Sequence, residues 1–190
     1  KAESTDQAKS TFLATISHEM RTPLNGIVGM TELLSNTEVS KEQKDLIESL
    51  NYSSNILHGL ISNVLDITTI EAGRLELSMS TFSLAEELHA IWKVFEKKTV
   101  SNPNLEIKLN IDENLPEYVT GDVSRIRQVL VNLMNNATKF TWKGSITLDV
   151  RVLGKTGDVC SIEFSIKDTG AGIPAEKQIH LCETFYKTSD

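Results

Sequence analysis

A histidine with neighbours suited to proton transfer lies at position 18, inside the first apolar-periodic segment. A neutral imidazole can attack an electrophilic phosphorus atom, and a nearby carboxylate can accept the proton that the ring then loses. Thr22 follows His18 by four residues and shares its helix face, whereas the adjacent Glu19 does not. Pro23 loosens the helix here because it removes a backbone hydrogen bond. Taken alone, the pattern also fits an ordinary surface histidine.

A cluster of amide side chains, at Asn132, Asn135 and Asn136, is the second candidate site. Asparagine is a poor residue for a helix interior because its side chain competes for backbone hydrogen bonds, yet the surrounding residues predict a helix. Amide oxygens are hard ligands suited to Mg²⁺, and Lys139 adds positive charge for phosphate groups. The cluster therefore predicts a phosphate and magnesium site, although a solvated polar helix face explains the same residues.

A glycine-containing turn after a predicted strand is the third candidate site. Asp168 is followed by Gly170 and Gly172, and two glycines at this spacing permit a tight turn and close approach of the backbone to a ligand. The Asp168 carboxylate can accept a hydrogen bond from the amino group of adenine, with Ile173 as an apolar wall. Ordinary turns use the same residue types, so this motif is weak by itself.

Two predicted helices position His18. Apolar residues recur at helical spacing over residues 8–36 and again over residues 41–73, with Ser40 as a candidate N-cap between them. The apolar steps of three, four and seven resemble a coiled-coil seam, and a lone hairpin cannot bury such a stripe. We therefore predict a helical hairpin, residues 1–75, that pairs with a second copy into a dimeric four-helix bundle. Packing of the stripe on the second half of the same chain is the alternative.

The second half, residues 76–190, alternates between strand and helix patterns and predicts an α/β domain with helices on one face of a sheet. Asp122 is the expected N-cap of the helix that carries the amide cluster. The predicted strands occupy residues 75–79, 105–111, 145–153 and 159–168, and the predicted helices occupy residues 83–98 and 122–140.

The composition excludes several classes of protein. With 190 residues, 39% hydrophobic and 24% charged, the chain fits one sizeable soluble domain or two small ones. A net charge of -7 argues against a nucleic-acid-binding surface. Cys160 and Cys182 lack metal-ligand spacing, so we expect reduced packing residues in a cytoplasmic chain. No apolar run reaches the roughly 20 residues of a membrane span, so membrane attachment would need other parts of a parent protein.

The segment FLATISHEMRTPL, residues 12–24, resembles the H-box of sensor histidine kinases of the HisKA subfamily. The next residues, 25–30, most resemble the hybrid sensor kinases, which carry receiver domains downstream. The resemblance implies that His18 is phosphorylated by ATP and that Glu19 accepts its proton. It also implies that Thr22 orients water when a cognate receiver is dephosphorylated.

The amide helix and the glycine turn resemble the N-box and the G1-box of the GHKL ATPases, which share the Bergerat fold. The resemblance implies that Asn136, with Asn132, contacts Mg²⁺ and phosphate, that Lys139 contacts phosphate, and that Asp168 selects adenine. The remaining residues of the implied ATP site are Phe140, Gly170, Gly172 and Ile173.

Residues 185–190 resemble the F-box that opens the ATP lid of this family. In the family a lid, a glycine-rich G2-box and a final helix with strands follow. We therefore expect a Bergerat α/β sandwich that is incomplete at its C terminus, and weak ATP binding by these 190 residues.

Together the motifs predict the core of a two-component sensor histidine kinase. It autophosphorylates His18 from Mg-ATP as a homodimer and passes the phosphoryl group to an aspartate of a response-regulator receiver domain, with phosphatase activity towards that receiver as an additional expectation. One alternative is a non-catalytic dimeric signalling scaffold with a degenerate ATP domain. Another is a GHKL ATPase of the chaperone or mismatch-repair type, against which the preceding H-box hairpin argues.

Overall fold

The computed structural model describes residues 2–99 and 102–178. The chain forms two compact units, Lys1–Glu76 and Leu77–Asp190. The first unit contains helices alone, and the second combines strands with helices. Within the described ranges, no helix is both long enough and apolar enough to cross a membrane.

The first unit is a helical hairpin made of α1 (Ala2–Ser35) and α2 (Lys41–Glu71), as predicted. Ser40 is the N-cap of α2: its hydroxyl accepts the Gln43 N–H, and the Gln43 side chain accepts the Ser40 N–H, which completes a capping box. Helix α1 continues through Pro23. Since Pro23 has no N–H, the carbonyl of Glu19 receives no helical hydrogen bond from it.

The seam between α1 and α2 is narrow and mixed in polarity. From α1 it buries Leu24 and Thr31, and the Thr31 hydroxyl hydrogen-bonds the side chain of Asn51 on α2. The buried residues of α2 recur every seven positions: Ile47, Ser54, Ile61 and Thr68. Polar and apolar layers therefore alternate along the hairpin, a pattern that fixes helix register at some cost in stability.

The second unit contains a three-stranded sheet, a two-stranded ladder and three helices among the described residues. Strands β2, β4 and β5 form the sheet in that order, with β2 parallel to β4 and β4 antiparallel to β5, while β1 pairs antiparallel with β3. The elements are β1 (Ser80–Phe82), α3 (Leu84–Thr99), β2 (Leu105–Ile111), β3 (Val119–Gly121), α4 (Val123–Phe140), β4 (Gly144–Thr156), β5 (Val159–Asp168) and α5 (Ala175–Gln178).

One face of the three-stranded sheet carries the core of this unit, which confirms the predicted arrangement of helices over a sheet. Buried residues alternate along β2 and β4 because successive side chains of a strand point to opposite faces. Helices α3 and α4 supply the other half of the core. The core residues are Leu84, Leu88, Ile91, Phe95, Leu105, Ile107, Leu130, Met134, Ala137, Ile146, Leu148 and Val150.

The predicted strand at residues 75–79 is wrong. These residues are exposed and have no regular structure, and β1 begins only at Ser80. An alternating apolar pattern forms a strand only where a second strand offers its backbone, and β3 offers it to residues 80–82. There Phe82 packs against the core, whereas the side chains of 75–79 reach no core.

The turn between β4 and β5 is shorter than predicted. Strand β4 continues to Thr156 through an irregularity between Val152 and Gly154, so only Gly157 and Asp158 remain in the turn. Gly157 has a φ of 58°, which a residue with a side chain rarely adopts.

Candidate active site

Helix α4 carries four of the predicted nucleotide-site residues, and its start is fixed by Asp122. The buried Asp122 carboxylate accepts the Ser124 hydroxyl at 2.6 Å and the Arg125 N–H at 3.1 Å, as an N-cap should. It also accepts the Ser78 N–H at 2.9 Å, which ties α4 to the segment that enters this unit. These hydrogen bonds, led by the one from Ser124, lower the pKa of Asp122 to about 2.

The buried face of α4 leaves its three asparagines exposed, and two of them are without a hydrogen-bond partner in the described part of the chain. Met134 and Ala137 lie in the core, while Asn132 and Asn136 are exposed and have no hydrogen-bond partner within the described part of the chain. Asn135, in contrast, accepts a hydrogen bond at 3.3 Å from the ammonium group of Lys98 on α3. Asn132 and Asn136 are therefore the two amides available to a ligand.

The C-terminal end of α4 combines a cation, an aromatic ring and a buried hydroxyl. The Lys139 ammonium lies 4.8 Å from the centroid of the Phe140 ring, and both side chains are exposed. The next residue, Thr141, ends the helix and is only 1% exposed. This end of α4 thus offers positive charge and apolar surface to a ligand while Thr141 points into the protein.

The glycine turn begins at Asp168, the last residue of β5. Its Oδ1 accepts the Gly170 N–H at 2.9 Å, which closes a local turn. A Cβ at Gly170 would collide with the carbonyl oxygen of Phe140, so the turn requires glycine there. Gly172 requires glycine for a different reason, since its φ is 71°. Beyond it, Ile173 is exposed and available as an apolar wall.

Backbone contacts join the end of α4 to the glycine turn. The Ala171 N–H donates to the Phe140 carbonyl at 3.4 Å, and the Thr169 N–H donates to the Ser145 carbonyl at 3.1 Å. In return the Ser145 N–H donates to the Thr169 hydroxyl at 2.9 Å. The end of α4, at Phe140, and the glycine turn that carries the predicted adenine residues therefore form one connected surface.

Thr141, which is not among the predicted site residues, links the same two segments through its side chain. Its hydroxyl donates to Asp168 Oδ1 at 3.4 Å. The residues are 27 positions apart, and no spacing rule relates the end of a helix to a turn after a later strand. A hydroxyl residue directly after the amide helix was the only signal in the sequence.

The predicted phosphoacceptor residues belong to the other unit. Glu19 and Thr22 are exposed on α1, and the backbone of His18 is helical, while the His18 side chain lies outside the described residues.

Cys160 is a half-buried free thiol on β5. Cys182 and the F-box residues 185–190 also lie outside the described residues.

The exposed amides of α4 carry oxygen atoms of the kind that Mg²⁺ accepts as ligands. Among the side chains that the structure describes, no group of three or more His, Cys, Asp or Glu residues could hold a metal ion. Two exposed amides supply few ligands, and Mg²⁺ is the ion that typically completes its coordination with waters and substrate phosphates. Asn132 and Asn136 therefore fit a Mg²⁺–phosphate group better than an isolated ion.

Two family models match the chain. Residues 8–73 match the His Kinase A (phospho-acceptor) domain, and residues 121–190 match the histidine kinase-, DNA gyrase B-, and HSP90-like ATPase. The first match spans the helical hairpin, and the second spans α4, β4, β5 and the glycine turn. Their order along the chain is the order predicted from the H-box, the N-box and the G1-box.

Curated relatives and a solved structure agree with these matches. The chain is 39% identical over 186 residues to the sensory/regulatory protein RpfC of Xanthomonas campestris, covering 97% of this chain and 26% of RpfC. It is 40% identical over 180 residues to hybrid signal transduction histidine kinase F of Dictyostelium discoideum, covering 94% of this chain and 16% of that kinase. The chain thus spans about a quarter or less of these relatives.

The crystal structure of full-length ShkA in complex with AMPPNP is 32% identical, with a TM-score of 0.66, and the match covers 88% of this chain and 35% of ShkA. The fold of this chain, a helical hairpin followed by an α/β unit, is therefore similar to that of ShkA. The two family matches, the relatives and this fold lead to one conclusion: the chain belongs to the histidine kinase family and contains its phospho-acceptor domain followed by its ATPase domain.

Proposed function

We propose that this chain is the catalytic core of a cytoplasmic two-component sensor kinase, with residues 1–75 for dimerisation and phosphotransfer and residues 76–190 for ATP binding. The observation that carries the proposal is the connected surface formed by the end of α4 and the glycine turn, in the same chain as an H-box histidine. The hybrid kinases among its relatives support a receiver domain as the partner.

In the proposed nucleotide site, Asn136 and Asn132 hold a Mg²⁺ ion against the phosphates of ATP, and Lys139 adds a second positive charge. Their exposure and the absence of hydrogen-bond partners for both amides in the described part of the chain support this role. A bound Mg²⁺ would neutralise charge on the phosphoryl group during transfer. Positioning and charge compensation then supply most of the catalysis.

The adenine end of the proposed site lies at the glycine turn. Asp168 accepts a hydrogen bond from the adenine amino group, and Gly170 and Gly172 let the backbone approach the base. Ile173 and Phe140 flank it with apolar surface. The exposure of both apolar side chains next to a fixed turn supports this arrangement, because ligand sites are lined mostly by apolar and aromatic side chains.

The proposed reaction transfers the γ-phosphoryl group to the His18 imidazole. A nitrogen–phosphorus bond forms as the bond from phosphorus to the β–γ bridging oxygen breaks, so ADP leaves with that electron pair. The Glu19 carboxylate accepts the ring proton, and its exposed position on α1 leaves it able to do so. In the second step an aspartate oxygen of the receiver replaces the nitrogen. Thr22 orients the water that later hydrolyses the receiver phosphate.

The proposed homodimer follows from apolar side chains that the hairpin leaves exposed. On each helix, four of them are separated by three, four or seven residues, which is the spacing of a coiled-coil seam. A second copy would bury both stripes in a four-helix bundle. The exposed residues at this spacing are Met20, Ile27, Met30 and Leu34 on α1, and Leu46, Leu50, Leu57 and Leu60 on α2.

Incubation of the full-length protein with ATP labelled in the γ-phosphate tests the assignment of His18. We expect an acid-labile label in the wild type and none in His18→Gln. His58→Gln is the matched control, because His58 is an exposed histidine of the same hairpin and should keep the label. Label that survives in His18→Gln, or that resists acid, would contradict the proposal.

Nucleotide binding separates the kinase from the non-catalytic scaffold. We expect Mg²⁺-dependent binding of ATP by the full-length protein, with a loss in Asn136→Ala that Asn135→Ala does not share. The control is matched because Asn135 is the neighbouring amide that Lys98 already engages. A wild-type protein without Mg²⁺-dependent binding would favour the scaffold.

A further inference from the structure

We propose that Thr141 is a positioning residue that orients the Asp168 carboxylate and thereby sets the preference of the site for a base with an amino group. This inference rests on the proposed ATP site. It adds a residue from the end of α4 to the recognition of the base, which the proposed function assigns to the glycine turn.

The hydrogen bonds to Asp168 converge on one of its two oxygens. The Thr141 hydroxyl donates to Oδ1 at 3.4 Å, and the Gly170 N–H donates to the same atom at 2.9 Å. Among the described residues, no donor reaches Oδ2. Both donors therefore engage Oδ1 and leave Oδ2 free to accept from a ligand amino group.

Within the described part of the chain, Asp168 is the hydrogen-bond partner of the Thr141 hydroxyl. The Thr141 side chain is 1% exposed, so a substitution that removes the hydroxyl breaks this hydrogen bond without removing a contact with water. A Cβ on Gly170 would lie 2.8 Å from the Thr141 hydroxyl oxygen and 2.9 Å from Asp168 Oδ1. Glycine at 170 is thus what allows the hydroxyl and the carboxylate to meet.

The separation of 3.4 Å is long for a hydroxyl and a carboxylate, for which about 2.5–2.7 Å is usual. Hydrogen bonds of functional sites are often long without a ligand and shorten when one binds. We expect the amino group of a bound base to hold Oδ2 and to draw the carboxylate towards both donors. Thr141 then contributes more to the bound state than to the free protein, which is what a positioning residue must do.

The test compares ATP with inosine triphosphate, which carries an oxygen in place of the adenine amino group. Affinities are measured by calorimetry with Mg²⁺ on the full-length protein. We expect Thr141→Val to weaken ATP binding about tenfold, the equivalent of one hydrogen bond to a charged group, and to change inosine triphosphate binding less than about twofold. Thr141→Ser keeps the hydroxyl and should restore the wild-type ratio of the two affinities.

The outcomes separate this inference from the proposed function. If the wild type does not prefer ATP, or if Asp168→Asn leaves the preference unchanged, the proposed site itself is wrong. If the wild type prefers ATP and Thr141→Val preserves the ratio, Thr141 is only structural and the inference is overturned. Should Thr141→Val fail to fold, Thr141→Cys, of nearly the same size and a weaker donor, carries the same comparison with the same expected fall in the ratio.

Discussion

The helical hairpin and the α/β unit bury their apolar residues to very different extents. In the α/β unit, Leu88, Met134 and Ile146 are 0% exposed and lie in one continuous core. In the hairpin, Leu24 is buried, but Met30 and Leu33 of the same helix are 68% and 70% exposed. The α/β unit therefore closes its own core, whereas the hairpin keeps much apolar surface that its own two helices do not cover.

The two units also differ in how they use buried polar groups. In the hairpin, Thr31 and Asn51 hydrogen-bond each other across the seam, where an apolar pair would pack more stably. In the α/β unit, Asp122 and Thr141 hold the two ends of α4 to other segments. Buried polar groups thus set helix register in the first unit and fix the two ends of α4 in the second.

The largest effect should come from the core of the α/β unit. We expect Met134→Ala to destabilise that unit by about 2–5 kcal/mol, because it leaves a cavity in a closed core. Val129→Ala is the matched control on the same helix and should cost less than about 0.5 kcal/mol, since the side chain is 57% exposed. Chemical denaturation followed by tryptophan fluorescence measures both losses, because both tryptophans, Trp92 and Trp142, lie in this unit. Equal losses in the two variants would mean that the α/β unit does not close its core around Met134, and the contrast with the hairpin would fail.

A smaller effect is expected from the exposed stripe of the hairpin. Leu57 is 44% exposed in the hairpin. Full burial of a leucine side chain stabilises a protein by roughly 1.5–3 kcal/mol, and a dimer that covers Leu57 gains part of this. In a symmetric dimer the gain occurs twice, once in each protomer. We expect Leu57→Glu to raise the dimer dissociation constant by at least about tenfold in sedimentation equilibrium. Tyr52→Glu changes a more exposed residue off the seam and should leave the constant unchanged. A wild-type monomer would instead mean that the stripe packs within the chain.

The same contrast explains which parts of the fold could be predicted from the sequence. Both hairpin helices and α4 follow from apolar periodicity with the caps Ser40 and Asp122, which are local signals. The pairing of β1 with β3 could not be predicted, because each strand has three residues and the partner is about 40 positions away. The misplaced strand at residues 75–79 has the same cause, since alternation does not reveal whether a partner strand exists.

For the candidate site, residue types pointed to α4 and the glycine turn but not to the contacts between them. Helical spacing alone placed Asn132, Asn135 and Asn136 on one side, and only packing against α3 showed that Lys98 engages Asn135. The hydrogen bond from Thr141 to Asp168 joins the end of α4 to the end of β5, 27 positions later, so no local sequence pattern predicts it. Contacts made by tertiary packing are what the sequence could not provide.

The smallest effect should appear only in acid, and in the α/β unit alone. Three hydrogen bonds stabilise the ionised Asp122 carboxylate and lower its pKa from the ordinary 3.8 to about 2. Its contribution to stability is therefore complete above about pH 4 and is lost as the pH falls towards 2. We expect Asp122→Asn to remove this part of the acid dependence of unfolding, measured by tryptophan fluorescence between pH 2 and 5. Asp158→Asn, an exposed aspartate in the turn between β4 and β5, should keep it. If Asp122→Asn retains the full acid dependence, the hydrogen bonds to Asp122 do not favour its ionised carboxylate in solution. The start of α4 would then be held by its packed face alone.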